Sequence, residues 1–269
     1  MSLIIHSPKA AVSDKMKIDA HCHLTDARYE SVKTVVFEAQ ADGVNIMVDS
    51  GWNAKNSLLA KDNAQIFDGV YFTAGIHPSE ANTFTAQDIE IIKSLLIHPK
   101  CLAVGEIGLD YHYDGVIKEN QFKLFEAQLE LAKQFELPVV VHSRDASSDV
   151  LNILRSYRDC LKHGFLMHCY SESLEQAKNY LDLGAYFSFG GVLTFKNSKK
   201  DEILKSIPKD RLLMETDSPY LTPAPFRGQI NYPKYVCHVY KKAASVLEMD
   251  EQAFILLVKE NFSRLFKKA

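Results

Sequence analysis

No apolar run in this sequence approaches the roughly 20 residues needed to span a bilayer, so a membrane-spanning helix is excluded. Cysteine is sparse: five residues, an odd count scattered over 269 positions, do not make a disulfide framework. They point to reduced thiols and a cytoplasmic protein, with Cys101 and Cys169 as small side chains inside apolar runs. There is no excess of positive charge. Lys and Arg number 31 against 34 Asp and Glu, and the net charge of -3 excludes a general polyanion-coating surface. Local recognition of a few phosphates stays open. Low-complexity linkers, a composition shift between halves and a Gly-rich dinucleotide fingerprint after the first strand are all missing. Residues 1–15 hold Lys9, Lys15 and only Leu3-Ile4-Ile5 as an apolar cluster, which is no signal peptide. They are read as an N-terminal extension, with Met16 as an alternative start.

What is present is ample material for a core: 46% of residues are hydrophobic and 24% charged. Short apolar runs at 16–20, 44–48, 70–74, 101–106, 139–141, 164–167, 185–189 and 211–215 read as strands. Helical patterns separate most of them: Val32, Val35, Val36 and Ala39 in one, Phe122, Phe125, Leu129 and Ala132 in another. Thr85 reads as an N-cap for a helix carrying Ile89, Ile92 and Leu96. Two terminal helices are expected at roughly 233–247 and 250–267. Alternation of this kind predicts an α/β fold, a parallel (β/α)8 TIM barrel formed by residues 16–269 as a single domain.

The chemistry-bearing residues fall where such a barrel would gather them. His21 and His23 close the first strand, pointing the same way because they are two apart, while Cys22 faces the opposite wall. Glu106 closes the fourth, His142 the fifth, His168 the sixth, and Asp217 the eighth. The C-terminal strand ends of a barrel converge on one mouth. Four imidazoles and two carboxylates exceed the needs of one tetrahedral ion, so a pair of divalent ions is expected, with Glu106 between them. His21, His23, Glu106 and Asp217 would surround one ion, and Glu106, His142 and His168 the other. Such a pair activates water near neutral pH and clamps an in-line displacement, with Asp217 able to take the proton of the attacking water. The mixed nitrogen and oxygen set suits Zn²⁺, Mn²⁺ or Mg²⁺ alike.

The runs Ile18-Asp19-Ala20-His21-Cys22-His23-Leu24, Gly75-Ile76-His77-Pro78 and Gly105-Glu106-Ile107-Gly108-Leu109-Asp110-Tyr111 resemble signature blocks of the TatD-family metal-dependent deoxyribonucleases. So do Val141-His142-Ser143-Arg144, Met167-His168-Cys169-Tyr170 and Glu215-Thr216-Asp217-Ser218-Pro219-Tyr220-Leu221, continuing through Thr222 to Gly228. The resemblance runs in order from about residue 16 to the C-terminus and is silent on residues 1–15. It implies an amidohydrolase-like barrel that hydrolyses DNA phosphodiesters, often 3′→5′ from an end. The six metal ligands match position by position. Many relatives in the wider superfamily carry a carboxylated lysine where Glu106 stands.

Around this set, His77 follows its strand and faces the mouth, placed to donate to a phosphate oxygen, to orient a ligand or to tie its own loop. Arg144 suits a bidentate phosphate contact, the alternative being a salt bridge to Asp145 or Asp149. Arg227 and Lys196, in the loops after the eighth and seventh strands, are further phosphate candidates. Tyr111 and Phe226 are candidates for stacking on a terminal base, with loop packing as the alternative, and Tyr170 and Tyr220 are read as packed beside the ligands. The favoured function is a two-metal exonuclease on single-stranded or frayed DNA ends, binding them weakly and without sequence specificity, as a monomer. The rival is a metal-dependent hydrolase of a non-phosphate ester or amide, for example an aminoacyl-tRNA ester, because activated water serves both.

Overall fold

The computed structural model describes residues 16–269, so the reading of residues 1–15 as an extension lies outside the described residues. Eight strands alternate with helices: β1 (Lys17–Cys22), α1 (Val32–Ala41), β2 (Val44–Ser50), α2 (Ala54–Ile66), β3 (Val70–Ala74), α3 (Ala86–Leu96), β4 (Cys101–Asp110) and α4 (Lys118–Phe135) form the first half. The second half comprises β5 (Val139–Arg144), α5 (Ser147–Ser156), β6 (Phe165–Met167), α6 (Leu174–Leu181), β7 (Tyr186–Phe189), α7 (Lys200–Ser206), β8 (Leu212–Met214), α8 (Val236–Val246) and α9 (Glu251–Leu265). Every neighbouring pair is parallel and the strands follow chain order, giving the (β/α)8 TIM barrel. Among the described residues no helix is long and apolar enough to cross a membrane.

The barrel closes through the segment after β8 rather than through β8 itself. Cys22 bridges Ser218 in parallel, His23 N–H donates to the Ser218 carbonyl at 2.8 Å, and Asp217 N–H donates to the His21 carbonyl at 3.0 Å. The fully buried Asp19 accepts from Thr216 N–H (2.8 Å) and Thr216 Oγ1 (2.6 Å). This seam fixes the loop of Asp217 against the end of β1, before any ligand chemistry is considered.

Helix α4 has a second task beside packing Phe125, Leu129 and Ala132. Its buried Gln121 and Gln128 lie seven apart, on one face. The Gln121 carboxamide accepts from Asp110 N–H and donates to the Asp110 carbonyl (2.9 and 2.8 Å). Gln128 does the same for Ile76 (2.7 and 2.9 Å). Two side chains thereby satisfy backbone groups that no sheet ladder reaches, and fix the residues beside His77 and beyond Glu106.

Three expectations about strand ends need correction. Strand β8 ends at Met214, three residues short of Asp217, which the seam with β1 holds instead. Glu106 does not close β4, which continues four residues to Asp110, and His142 lies two residues before the end of β5. Gly105 and Gly108 interrupt the apolar run of β4, which is why its length was not legible. Thr85 caps α3 as expected, in a reciprocal capping box with Asp88. Helix α7 was not anticipated: seven residues long, it buries only Leu204.

Candidate metal centre

Glu106 sits between two sets of imidazoles. One carboxylate oxygen, Oε2, is 3.3 Å from His21 Nε2 and 3.7 Å from His23 Nε2. The other, Oε1, is 2.8 Å from both His142 Nδ1 and His168 Nε2. Asp217 Oδ1 completes the first set, 3.3 Å from His23 Nε2 and 3.8 Å from His21 Nε2. His21 and His168 stack face to face with centroids 4.1 Å apart.

Neighbouring groups fix which nitrogen of each ring faces inward. His23 Nδ1 lies 2.9 Å from the Ser50 carbonyl, which only accepts, so Nδ1 carries hydrogen and Nε2 presents the lone pair. His142 Nε2 faces Asp110 Oδ2 at 3.0 Å, which leaves Nδ1 for the centre. His77 is oriented oppositely. Its Nδ1 accepts from Ser79 N–H at 3.1 Å, so the hydrogen of the neutral ring sits on Nε2, 3.6 Å from Glu106 Oε1. His77 therefore presents a donor to the site rather than a lone pair.

Burial alone would raise the Glu106 carboxyl, but the surrounding imidazoles of His168, His77 and His142 hold it well below the usual carboxylate range. Asp217 is likewise depressed: burial would raise it, but the His23 hydrogen bond and the charges of His168, His23 and His21 together outweigh burial. Burial would lower His23, yet Asp217 pushes it up to about 9, and Glu106 raises His168 well above the ordinary histidine value. His77 is pushed down to about 3 by burial and by the charge of His142. His21 is lowered by burial and by His168, and neither of its ring nitrogens has a hydrogen-bond partner. A wholly buried imidazole with both nitrogens orphaned is costly in a protein on its own, and a divalent ion answers that cost. The residues fit such an ion: His21, His23 and Glu106 present one atom each within 4.8 Å of one another, as do His21, His168 and Asp217.

The substrate candidates stand apart from this cluster, making no hydrogen bond or ion pair to it. Arg144 is exposed, and its guanidinium reaches only Tyr113, at 3.4 Å from the hydroxyl. The anticipated alternative does not form: Asp145 pairs with His112, while Asp149 takes Tyr111 and Lys118. Arg144 lines a cavity of about 530 Å³ with His112, Ser143, Glu172 and Gln176, opening between β5–α5 and β6–α6. Lys196 is exposed, and the Arg227 guanidinium lies 4.0 Å over the Phe195 ring. Two stacking candidates are already engaged. Tyr111 donates its hydroxyl to Asp149 (2.7 Å) with Lys118 Nζ 3.8 Å over its ring, and Phe226 stacks on Tyr235 at 4.6 Å. Conversely Tyr220, read as packed, is 48% exposed.

Asp110, which faces His142 Nε2, is one carboxylate beside the cluster that sequence reasoning missed. Glu106, Gly108 and Asp110 alternate along β4, so a period-two reading would have placed Asp110 on the face of Glu106. Glu215, a buried carboxyl within the quoted Glu215–Leu221 block, was likewise missed; it accepts from Ser188 Oγ and lies 3.7 Å from His168 Nδ1.

Comparison with known proteins agrees with this geometry. The family model described as TatD related DNase matches residues 18–267. An uncharacterized metal-dependent hydrolase of Bacillus subtilis, YabD, is 40% identical over 254 residues, covering 94% of this chain and 99% of its own length. The 3′-5′ ssDNA/RNA exonuclease TatD of Klebsiella pneumoniae is 33% identical over 217 residues, 78% of this chain and 82% of that protein. Among solved structures, YjjV, a TatD homolog from Escherichia coli K12, superposes with a TM-score of 0.89 at 28% identity, covering 94% of this chain and 99% of that one. The chain is a metal-dependent hydrolase and belongs to the TatD-related DNase family.

Proposed function

We propose that this protein is a 3′→5′ exonuclease acting on single-stranded or frayed DNA ends, as a cytoplasmic monomer that holds two divalent ions. The observation that carries the reading is the Glu106 carboxylate, with one oxygen toward His21 and His23 and the other equidistant from His142 and His168. His21, His23, Glu106 and Asp217 would hold one ion and Glu106, His142 and His168 the other. Zn²⁺, Mn²⁺ and Mg²⁺ all suit this donor set. When bound, such ions lower the pKa of water toward neutrality and offset charge developing on phosphate oxygens.

The chain's own groups supply the rest. Asp217, ionised at neutral pH because its carboxyl is depressed, takes the proton of the attacking water. The His77 Nε2–H donates toward the phosphate, and burial keeps that ring neutral, a donor of fixed direction. Arg144, on the rim of the adjoining cavity, grips the phosphate of the next nucleotide with its planar fork. Arg227 and Lys196 are weaker phosphate contacts on the opposite loops.

The test is digestion of a 5′-labelled single-stranded oligonucleotide by metal-stripped protein resupplied with Mg²⁺, Mn²⁺ or Zn²⁺, beside Asp217→Asn. Stepwise shortening from the 3′ end that the variant loses is the expected result, and it ranks the metals. No cleavage with any metal, in protein that demonstrably binds ions, would overturn the nuclease reading in favour of an ester or amide hydrolase.

A further inference from the structure

Trp52, the one tryptophan of the chain, follows β2 and lies with its ring 5.3 Å from that of His23, at 76°. On the other side of the sequence, Tyr220 follows Asp217 by three residues and places its ring 6.1 Å from the same imidazole, at 83°. Both backbones are tied to the centre: the Trp52 carbonyl accepts from His77 N–H at 2.8 Å, and Tyr220 N–H donates to the Asp217 carbonyl at 2.9 Å. Trp52 is partly exposed and Tyr220 is about half exposed.

A half-exposed aromatic ring is ordinarily free to change rotamer. Tyr220 is not, because the Arg28 guanidinium lies 4.2 Å over its ring. Arg28 is itself held by two hydrogen bonds of 2.8 Å from Nε and Nη2 to the Asp26 carboxylate. A cation stacked on the ring and anchored by its own carboxylate fixes a flat surface in place. Of the residues expected to stack, Phe226 lies face to face on Tyr235, and Tyr111, its hydroxyl held by Asp149, makes no ring contact with the cluster of the kind Tyr220 makes with His23.

We infer that Trp52 and Tyr220 form a platform for the terminal nucleobase of the substrate, with Arg28 as a positioning residue beneath Tyr220. This rests on the nuclease reading for its setting but deepens it: the leaving nucleotide is held by its base as well as by its phosphate. Stacking tolerates all four bases, because each has a π-face, so the platform binds the end without reading sequence. It also requires an unpaired terminal base, which favours single-stranded and frayed ends over blunt duplex.

The first readout is independent of cleavage. Emission from Trp52 alone reports on the platform, so titration with dAMP is expected to quench it saturably, while deoxyribose 5-phosphate at equal concentration is not. Tyr220→Ala should weaken dAMP binding about tenfold, the scale of one lost base stack, and Tyr220→Phe should restore it. The second readout is preference among 3′ ends. Wild type should favour a base-bearing end over an abasic one about tenfold in kcat/KM. That ratio should fall at least several-fold in Tyr220→Ala and persist in Tyr220→Phe. Cleavage that ignores the terminal base, with no response of Trp52 to dAMP, would overturn the platform and leave the nuclease reading standing. Quenching by dAMP in a protein that cuts no oligonucleotide would sustain the platform and remove the nuclease.

Discussion

His142 is gripped from both sides, by Glu106 at Nδ1 and by Asp110 at Nε2. A partner of this kind orients the ring and raises its basicity, and removing one costs about 10–100-fold in metal affinity. With two ions held as proposed, Asp110→Ala should therefore weaken one site by that factor in a chelator competition, leaving the other near its original affinity. Glu106→Gln acts on both sites, since it keeps the shape of the side chain and deletes the shared charge. A fall in activity of about a thousandfold or more is expected, together with a metal content below that of wild type. Retention of activity within tenfold would sink the shared-carboxylate mechanism. The titrations give a third test. Asp217 pushes His23 up to about 9, and the carboxylates facing His168 and His142 raise both above the ordinary histidine value, so the metal-free protein favours the imidazolium form of these rings. A ligating imidazole must be neutral, so metal uptake releases these protons, and affinity falls as pH is lowered. Calorimetry in buffers of different ionisation enthalpy should show a net release of protons on metal uptake. A count near zero would mean that none of these histidines is paired as an imidazolium.

Strand β4 carries the most constrained backbone near the site. Gly108 adopts φ +145°, and a Cβ on it would lie 2.0 Å from the His142 carbonyl oxygen. Gly108→Ala must therefore push β5 away at the residue that faces Glu106. Overpacking and the disallowed φ together cost about 3 kcal/mol or more, a fall in Tm of roughly 6–12 °C for a domain of this size. Gly184 is the control: it also has positive φ, but a Cβ there meets open space, so its Ala variant should lose only about 1 kcal/mol. If the two variants melt together, the close approach of β4 to β5 is not what positions His142. The same strand shows why part of the fold was legible and part was not. Val70–Ala74 and the α3 cap could be read because β-branched runs and a Thr-x-x-Asp box are local signals. The cluster of His21, His23, Glu106, His142, His168 and Asp217 could be read because each follows or ends an apolar run, and a barrel brings such positions to one mouth. The end of β4 could not, since its two glycines serve a contact with β5 that no local pattern records. Helix α7 was hidden for a different reason: one buried residue in seven leaves no periodicity to detect. Exposure was the least legible property of all. Tyr111, Phe226 and Tyr220 are all aromatic loop residues in sequence, and only packing decides that Asp149 ties the first, Tyr235 covers the second and Tyr220 stays half open beside His23.

At the scale of the whole molecule, charge and architecture point the same way. A net charge of -3 gives no broad positive field to hold a long polyanion, while the barrel buries its carboxylates and imidazoles at one mouth. On the proposed reading a single strand is held by a few contacts near its end: Arg144, the metal centre and the rings of Trp52 and Tyr220, with Arg227 and Lys196 as weaker ones. Counterion release turns this into a number. Each phosphate neutralised on a single strand contributes about -0.7 to the slope of log affinity against log salt concentration. Two or three phosphates give a slope of about -1.5 to -2, whereas a surface tracking the strand through eight would approach -6. Measured with catalytically silent Asp217→Asn and a fluorescent single strand, the slope should stay shallow as the oligonucleotide is lengthened from about 6 to about 30 nucleotides. It should flatten further in Arg144→Ala, by about the share of one phosphate. A slope that steepens with length would show that further cations, beyond those proposed at the mouth, follow the chain, and end recognition would have to be abandoned.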